Sequence, residues 1–187
     1  MEDKRPDWAC PVSLVTDRIL LREFVAADFD ALRVIDADPE VQRFRSPIPI
    51  TPAATREFLA QAQAQAAERP RQQYALAITL RADARLVGLA GLTIANAAYD
   101  EAYLWYAIGQ RDWGQGYATD AAGRLVRFGF EAAGLRRVFA ECSADNPASA
   151  RVLAKIGLKR ELASPGSLAV TRGRLRFTLA CPPDLVV

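Results

Sequence analysis

Apolar positions along the chain recur in two periods. Strand-length apolar or alternating runs fall at residues 18–24, 73–80, 86–94, 102–108, 136–142 and 174–180. Helical spacing falls at 27–37, where Phe29, Leu32, Val34 and Ile35 are partly periodic, and at 53–67, 118–133 and 147–156. Thr51-Pro52 is a strong helix start, a capping hydroxyl before a proline at the first helical position, and the Ala/Gln alternation after it predicts an exposed helix. In the third helix Ala118, Ala121, Ala122, Leu125, Gly129 and Ala132 share a face of small residues suited to close packing on a sheet, and Gly134 is a natural stop. Residues 81–85 and 95–100 read as turns, so three consecutive strands are antiparallel before the chain enters a helix. The expectation is an α+β fold with a mixed, mostly antiparallel central sheet flanked by helices. Residues 1–16 are expected to form a leader lying loosely on one domain that spans 17–187. Pro182-Pro183 is expected to end the ordered part.

Composition narrows the class. A chain of 187 residues, 51% hydrophobic and 25% charged, suffices for one substantial core. A net charge of +2 does not call for a polyanion-binding surface, though it leaves room for a local basic patch, and nucleic acid is not the expected main partner. No apolar run is long enough to span a bilayer, and a cytoplasmic, membrane-free protein is expected. Cys10, Cys142 and Cys181 are odd in number and widely spaced, and suggest neither a disulfide framework nor a zinc site. The chain has no histidine, which excludes Ser-His and Cys-His catalysis and the His-bearing zinc sites. Acid–base chemistry is left to carboxylates, hydroxyls, thiols or water.

The candidate chemistry centres on residues 101–133. A strand breaks at Gly109-Gln110-Arg111-Asp112-Trp113-Gly114-Gln115-Gly116 and opens into a helix. The first amides of a helix lack intrahelical partners and carry the positive end of its dipole, so an anion fits there. Gly114 and Gly116 let the main chain turn several N–H groups to one point, and Arg111 adds charge beside it. The pattern Arg111-x-x-Gly114-x-Gly116, leading into Tyr117-Ala118-Thr119, resembles the acyl-CoA diphosphate loop of the GNAT acetyltransferase superfamily. A second stretch, Asn146 to Gly157, resembles that family's Asn-x-x-Ser segment, with Leu158 where phenylalanine is usual. The branch most resembled is the ribosomal-protein N-terminal (Rim-type) acetyltransferases.

The resemblance implies a GNAT fold and direct acetyl transfer from acetyl-CoA to a primary amine, most readily a protein or peptide N-terminus, with no metal, by a monomer or homodimer. A small-amine or antibiotic acceptor is the alternative. Rivals from other classes are a non-catalytic acyl-CoA-binding module and a dinucleotide-binding domain, the latter opposed by Thr119 at the final small-residue position of G-x-G-x-x-G. By resemblance, Tyr106, Ala107 and Ile108 hold the thioester carbonyl and cofactor through their main chain. Arg111, Gly114, Gln115, Gly116, Tyr117 and Ala118 bind the diphosphate, and Asn146 contacts the pantetheine arm while also capping its helix. Arg151 and Lys155 read as solvated-face charges, with reach to the adenosine 3′-phosphate as the other reading. Ser149 shares a face with Leu153 and Ile156. It is either a small residue bonded to a helix carbonyl or, as in the resembled branch, the proton donor to the departing thiolate. The branch has a glutamate where Tyr103 stands, so the general base is open among Glu101, two residues earlier on the same strand face, Glu141, and a water relay. By resemblance residues 39–51 belong to the side where the acceptor is chosen, and the loop 43–49 within them reads equally as plain connection.

Overall fold

The structure, a computed structural model, describes residues 11–46, 48–96, 100–161 and 173–185. Cys10, Pro47, residues 97–99 and the turn-rich piece at 163–167 lie outside them. Strands β1 (Ser13–Val15) and β2 (Ile19–Glu23) lead through a 3-10 turn at Ala26–Asp28 into helices α1 (Phe29–Ala37), α2 (Pro39–Arg45) and α3 (Pro52–Ala66). Strands β3 (Gln73–Leu80), β4 (Leu86–Asn96) and β5 (Glu101–Ile108) follow, then α4 (Tyr117–Glu131), β6 (Arg137–Ser143), α5 (Pro147–Lys155), β7 (Lys159–Arg160) and β8 (Arg174–Ala180).

The described strands form one sheet in the order β1-β2-β3-β4-β5-β6-β8-β7. All neighbours are antiparallel except β5 and β6. One sheet face packs on α4, with Leu104, Leu125 and Val138 fully buried, and the other on α1 and α3, with Leu32, Ala77 and Leu89 at its centre. Gly129 makes the first contact close: a Cβ there would stand 2.9 Å from the Leu135 side chain and 3.1 Å from Leu92. Gly134, at φ +65°, ends the α4 segment as its sequence position predicts.

Four expectations need correction. Residues 13–15 of the expected leader form an edge strand, because Val12 and Leu14 turn inward while Ser13 and Val15 face out, a pattern too short to stand out in sequence. Residues 43–45 of the expected loop belong to helix α2, Pro39–Arg45: Asp38 caps it by accepting from the Glu40 N–H, and Pro39 sits in its first turn. A 3-10 turn at Pro183–Leu185 continues past the double proline that is expected to end the ordered part. Val34, counted among the periodic positions of α1, points to solvent at 69% exposure.

One feature of the sheet opens the site. The parallel pairing of β5 with β6 covers only Glu101↔Arg137, Ala102↔Val138 and Tyr103↔Phe139. Beyond it β5 stays with β4 as far as Gly88↔Ile108, while β6 continues along β8 to Ser143↔Arg174. The two strands therefore diverge, and main-chain groups of β5 face a gap rather than a neighbour.

Candidate active site

A cleft of about 960 Å³ occupies this gap. Its walls are the diverging strands, the loop before α4, the first turns of α4 and α5, and α2. Alternation along β5 divides it: Tyr106 and Ile108 belong to the α4 side of the sheet, Trp105 and Ala107 to the α1–α3 side.

On the α4 side, α4 starts at Tyr117 with Gly116 as its N-cap at φ +84°, and no side-chain oxygen fills the cap. Gly114 stands at φ +77°, and a Cβ added there would meet nothing within 4 Å. The helix N-terminus thus opens into the cleft with its loop bare of side chains on that side, which suits a diphosphate. The loop itself is anchored. Buried Asp112 accepts two bonds of 2.8 Å from the Arg85 guanidinium, and the Trp113 indole N–H donates to the Ile108 carbonyl at 2.7 Å. Asn146 accepts from the Ser149 N–H at 3.0 Å, capping α5 as predicted.

Ser149 does more than fill space. Its Oγ lies 2.8 Å from the Tyr106 phenol oxygen, and the Tyr106 O–H also reaches the Ser149 carbonyl at 3.3 Å. Burial pushes Tyr106 up to about 12, outweighing the opposite pull of Ser149, so the phenol keeps its proton at every physiological pH. Cys142 of β6 approaches the same hydroxyl, and its thiol is pushed up by burial. Sequence reasoning named Tyr106 only for its main chain. The signal for its side chain was the strand alternation with Leu104 and Ile108, which aims it at α5.

On the other side the cleft is bounded by Val41, Arg43, Phe44 and Arg45 of α2 and by Tyr103, Trp105, Glu141 and Arg174 of the strands. Helix α2 is held from behind: buried Asp36 of α1 accepts from Arg45 and, at 2.6 Å, from the Thr55 hydroxyl of α3. Glu141 is ion-paired with Arg174 at 3.2 Å and more loosely with Arg176 at 3.8 Å.

Of the predicted residues, the cleft gathers Tyr106, Ala107, Ile108, Gly114, Gly116, Tyr117, Ala118, Asn146, Ser149 and Arg151. Arg111 and Gln115 are exposed and do not line it. Glu101 does not line it either: it pairs with Arg137 at 3.2 Å where β5 and β6 are still bonded, at the closed end of the gap. Glu141, its rival, does.

The acetyltransferase (GNAT) domain family matches residues 18–159, most of the chain. The chain belongs to the GNAT acetyltransferase family. A curated relative, the uncharacterized N-acetyltransferase p20 of Bacillus licheniformis, is 25% identical over 150 residues, covering 80% of this chain and 83% of its own. Among solved structures, the ribosomal-protein-S5-alanine acetyltransferase of Vibrio fischeri superposes with a TM-score of 0.74 at 17% identity, covering 92% of this chain and 98% of that one. The spermidine N-acetyltransferase of Vibrio cholerae, solved with CoA and spermine, superposes with a TM-score of 0.71 at 14% identity, covering 89% and 97%. The protein is accordingly an N-acetyltransferase of GNAT fold that takes acetyl-CoA as donor and an amine as acceptor. Among the described residues no cluster of His, Cys, Asp and Glu is placed to hold a metal, and no helix is long and apolar enough to cross a membrane.

Proposed function

We propose that this GNAT enzyme acetylates the α-amine of a protein or peptide N-terminus. The observation that carries the proposal is the make-up of the cleft on the α2 side: Arg43, Arg45 and Arg174 line it beside Glu141, a carboxylate that Arg174 and Arg176 already hold, while the other lining carboxylates, Asp112 and Asp145, stand in the loop before α4 and just before α5. A polyamine or aminoglycoside needs several carboxylates free along its path, and here Glu141 is already taken up by Arg174. A peptide brings one amine followed by main-chain carbonyls, which arginine N–H groups can bond, and side chains that Phe44, Tyr103 and Trp105 can pack against.

The basicity of the acceptor agrees. An α-amine has a pKa of about 7.7–8.0 against about 10.4 for a lysine side chain, so much of it is already neutral near pH 8. With no histidine in the chain and its acidic group beside a guanidinium, the site suits an amine that needs little help to lose its proton. Glu141 orients that amine by accepting from it, and passes the proton to water. Acetyl-CoA supplies an activated acyl group as a thioester. Toward it the protein offers the Gly114–Ala118 amides for the diphosphate and a free main-chain N–H of Tyr106–Ile108 for the carbonyl oxygen. The Ser149 hydroxyl, supported by the Tyr106 phenol, is the donor to the leaving sulfur. Asn146 and Arg151 flank the bound donor along α5.

The test is acetyl transfer to N-terminal peptides, polyamines and aminoglycosides offered together, with mass spectrometry of each acceptor. A single acetyl gained on peptide α-amines is the expected result. Gain on polyamines or aminoglycosides alone would reject the acceptor assignment and leave the donor site intact. Binding of acetyl-CoA with no gain on any amine would favour a binding module.

A further inference from the structure

We propose that Arg18 is a positioning residue for the cofactor loop, acting on one peptide unit from outside the cleft; the inference rests on the acetyl-CoA reading above. Arg18 stands just before β2, where its carbonyl accepts the Arg81 N–H at 3.0 Å, so its backbone is tied to the sheet. Its side chain crosses to the loop before α4, some hundred residues away in sequence. There its Nη1 donates to the Gln115 carbonyl at 2.7 Å, while Nε and Nη2 both donate to Asp120 Oδ2 at 2.9 and 2.7 Å. The guanidinium also lies over the Tyr117 ring, 5.2 Å from its centre.

The consequence follows from peptide geometry. In a trans peptide the C=O and N–H point to opposite sides. Holding the Gln115 carbonyl toward Arg18 therefore turns the Gly116 N–H away from Arg18. Gly116 lines the cleft, whereas Arg18 and Gln115 do not. The turned N–H belongs to the set that a diphosphate would use. Without the clamp this unit is weakly fixed on its C-terminal side, because Gly116, one of the two residues that flank it, lacks the Cβ that restricts rotation. A Cβ at residue 116 would stand 3.0 Å from Arg18 Nη2 and so press on the clamp, in addition to the strain of its φ. Asp120 aims the guanidinium, so it too acts through the loop.

The test uses Arg18→Met, which keeps the stem over Tyr117 and removes every donor. CoA affinity is measured by titration calorimetry, and the acetyl-CoA dependence of turnover is followed on an acceptor that the wild type uses. The expected result is a Kd for CoA raised about tenfold and a KM for acetyl-CoA raised in parallel, with kcat at saturation within about twofold and an unchanged melting temperature, in proportion to loss of one oriented donor. Arg18→Met/Asp120→Asn should bind as weakly as Arg18→Met. Recovery of wild-type affinity in the double variant would overturn the proposal, since Arg18 would then only neutralise Asp120. Unchanged CoA affinity in Arg18→Met would overturn it as well, as would a fall in kcat at saturation as large as the loss of affinity. A wild-type protein that fails to bind CoA at all would overturn the cofactor assignment itself, an outcome distinct from the other three.

Discussion

Gly114 is the residue at which shape and chemistry meet. A side chain there has open space around it, so packing does not resist substitution; the left-handed backbone and the ligand do. Gly114→Val should cost about 1–2 kcal/mol of stability from φ +77° alone and weaken CoA binding at least about tenfold, read by thermal melting and calorimetry. If Ser149 is the proton donor proposed above, Ser149→Ala should lower kcat about a hundredfold with little change in KM for acetyl-CoA, because such a donor acts in the transition state. Tyr106→Phe should fall between it and the wild type. Tyr106 also titrates in a predictable sense. Its pKa rises from an ordinary 10.0 to about 12 in the folded protein, so its contribution to stability is complete below pH 10 and is lost as the pH rises from 10 to 12. Denaturant midpoints should fall across that window in the wild type and less in Tyr106→Phe. The partners of Ser149 were only partly legible. A helical face can be counted from spacing, but the meeting of α5 with Tyr106 and Cys142 depends on two strands separating. Glu101 shows the converse: spacing gave it the correct strand, and the pairing of β5 with β6 put it at the closed end.

Among the elements, α2 shows best how local signals are overlooked. Asp38-Pro39 has the same cap-and-proline grammar as Thr51-Pro52, yet a seven-residue helix has too few turns to show a period. Its position matters because it carries Arg43 and Phe44 to the acceptor half. Asp38→Ala removes the cap and should cost about 1 kcal/mol. Because the change loosens one wall only, KM for the amine acceptor should rise several-fold while the CoA dissociation constant stays put; steady-state kinetics and calorimetry on one preparation separate the two. Helix α4 is the opposite case. Its fifteen residues supply four turns of periodicity, and its small inner face predicted the close approach at Gly129.

At the scale of the whole molecule, the single sheet with helices on both faces serves to hold two strands apart over half their length. Its core is tight at α4: Leu125 is fully buried against the sheet. Leu125→Ala should cost about 2–5 kcal/mol, measured by urea unfolding, and should weaken CoA binding only through the unfolded fraction. The sequence by itself determined the period-2 and period-3.6 segments, the turn between β3 and β4, the glycine loop before a helix, and the Asn146 cap. Each rests on residues within one helical turn or one hairpin of each other, where local sterics and hydrogen bonding decide. Only the tertiary structure decided which carboxylate faces the cleft, that Arg18 clamps Gln115, and that Tyr106 meets Ser149. Those contacts join residues from about 40 to about 100 positions apart, and their geometry is set by the register of a sheet and the point at which β5 and β6 part. No local pattern encodes that point, since it depends on where β8 and α5 pack against β6.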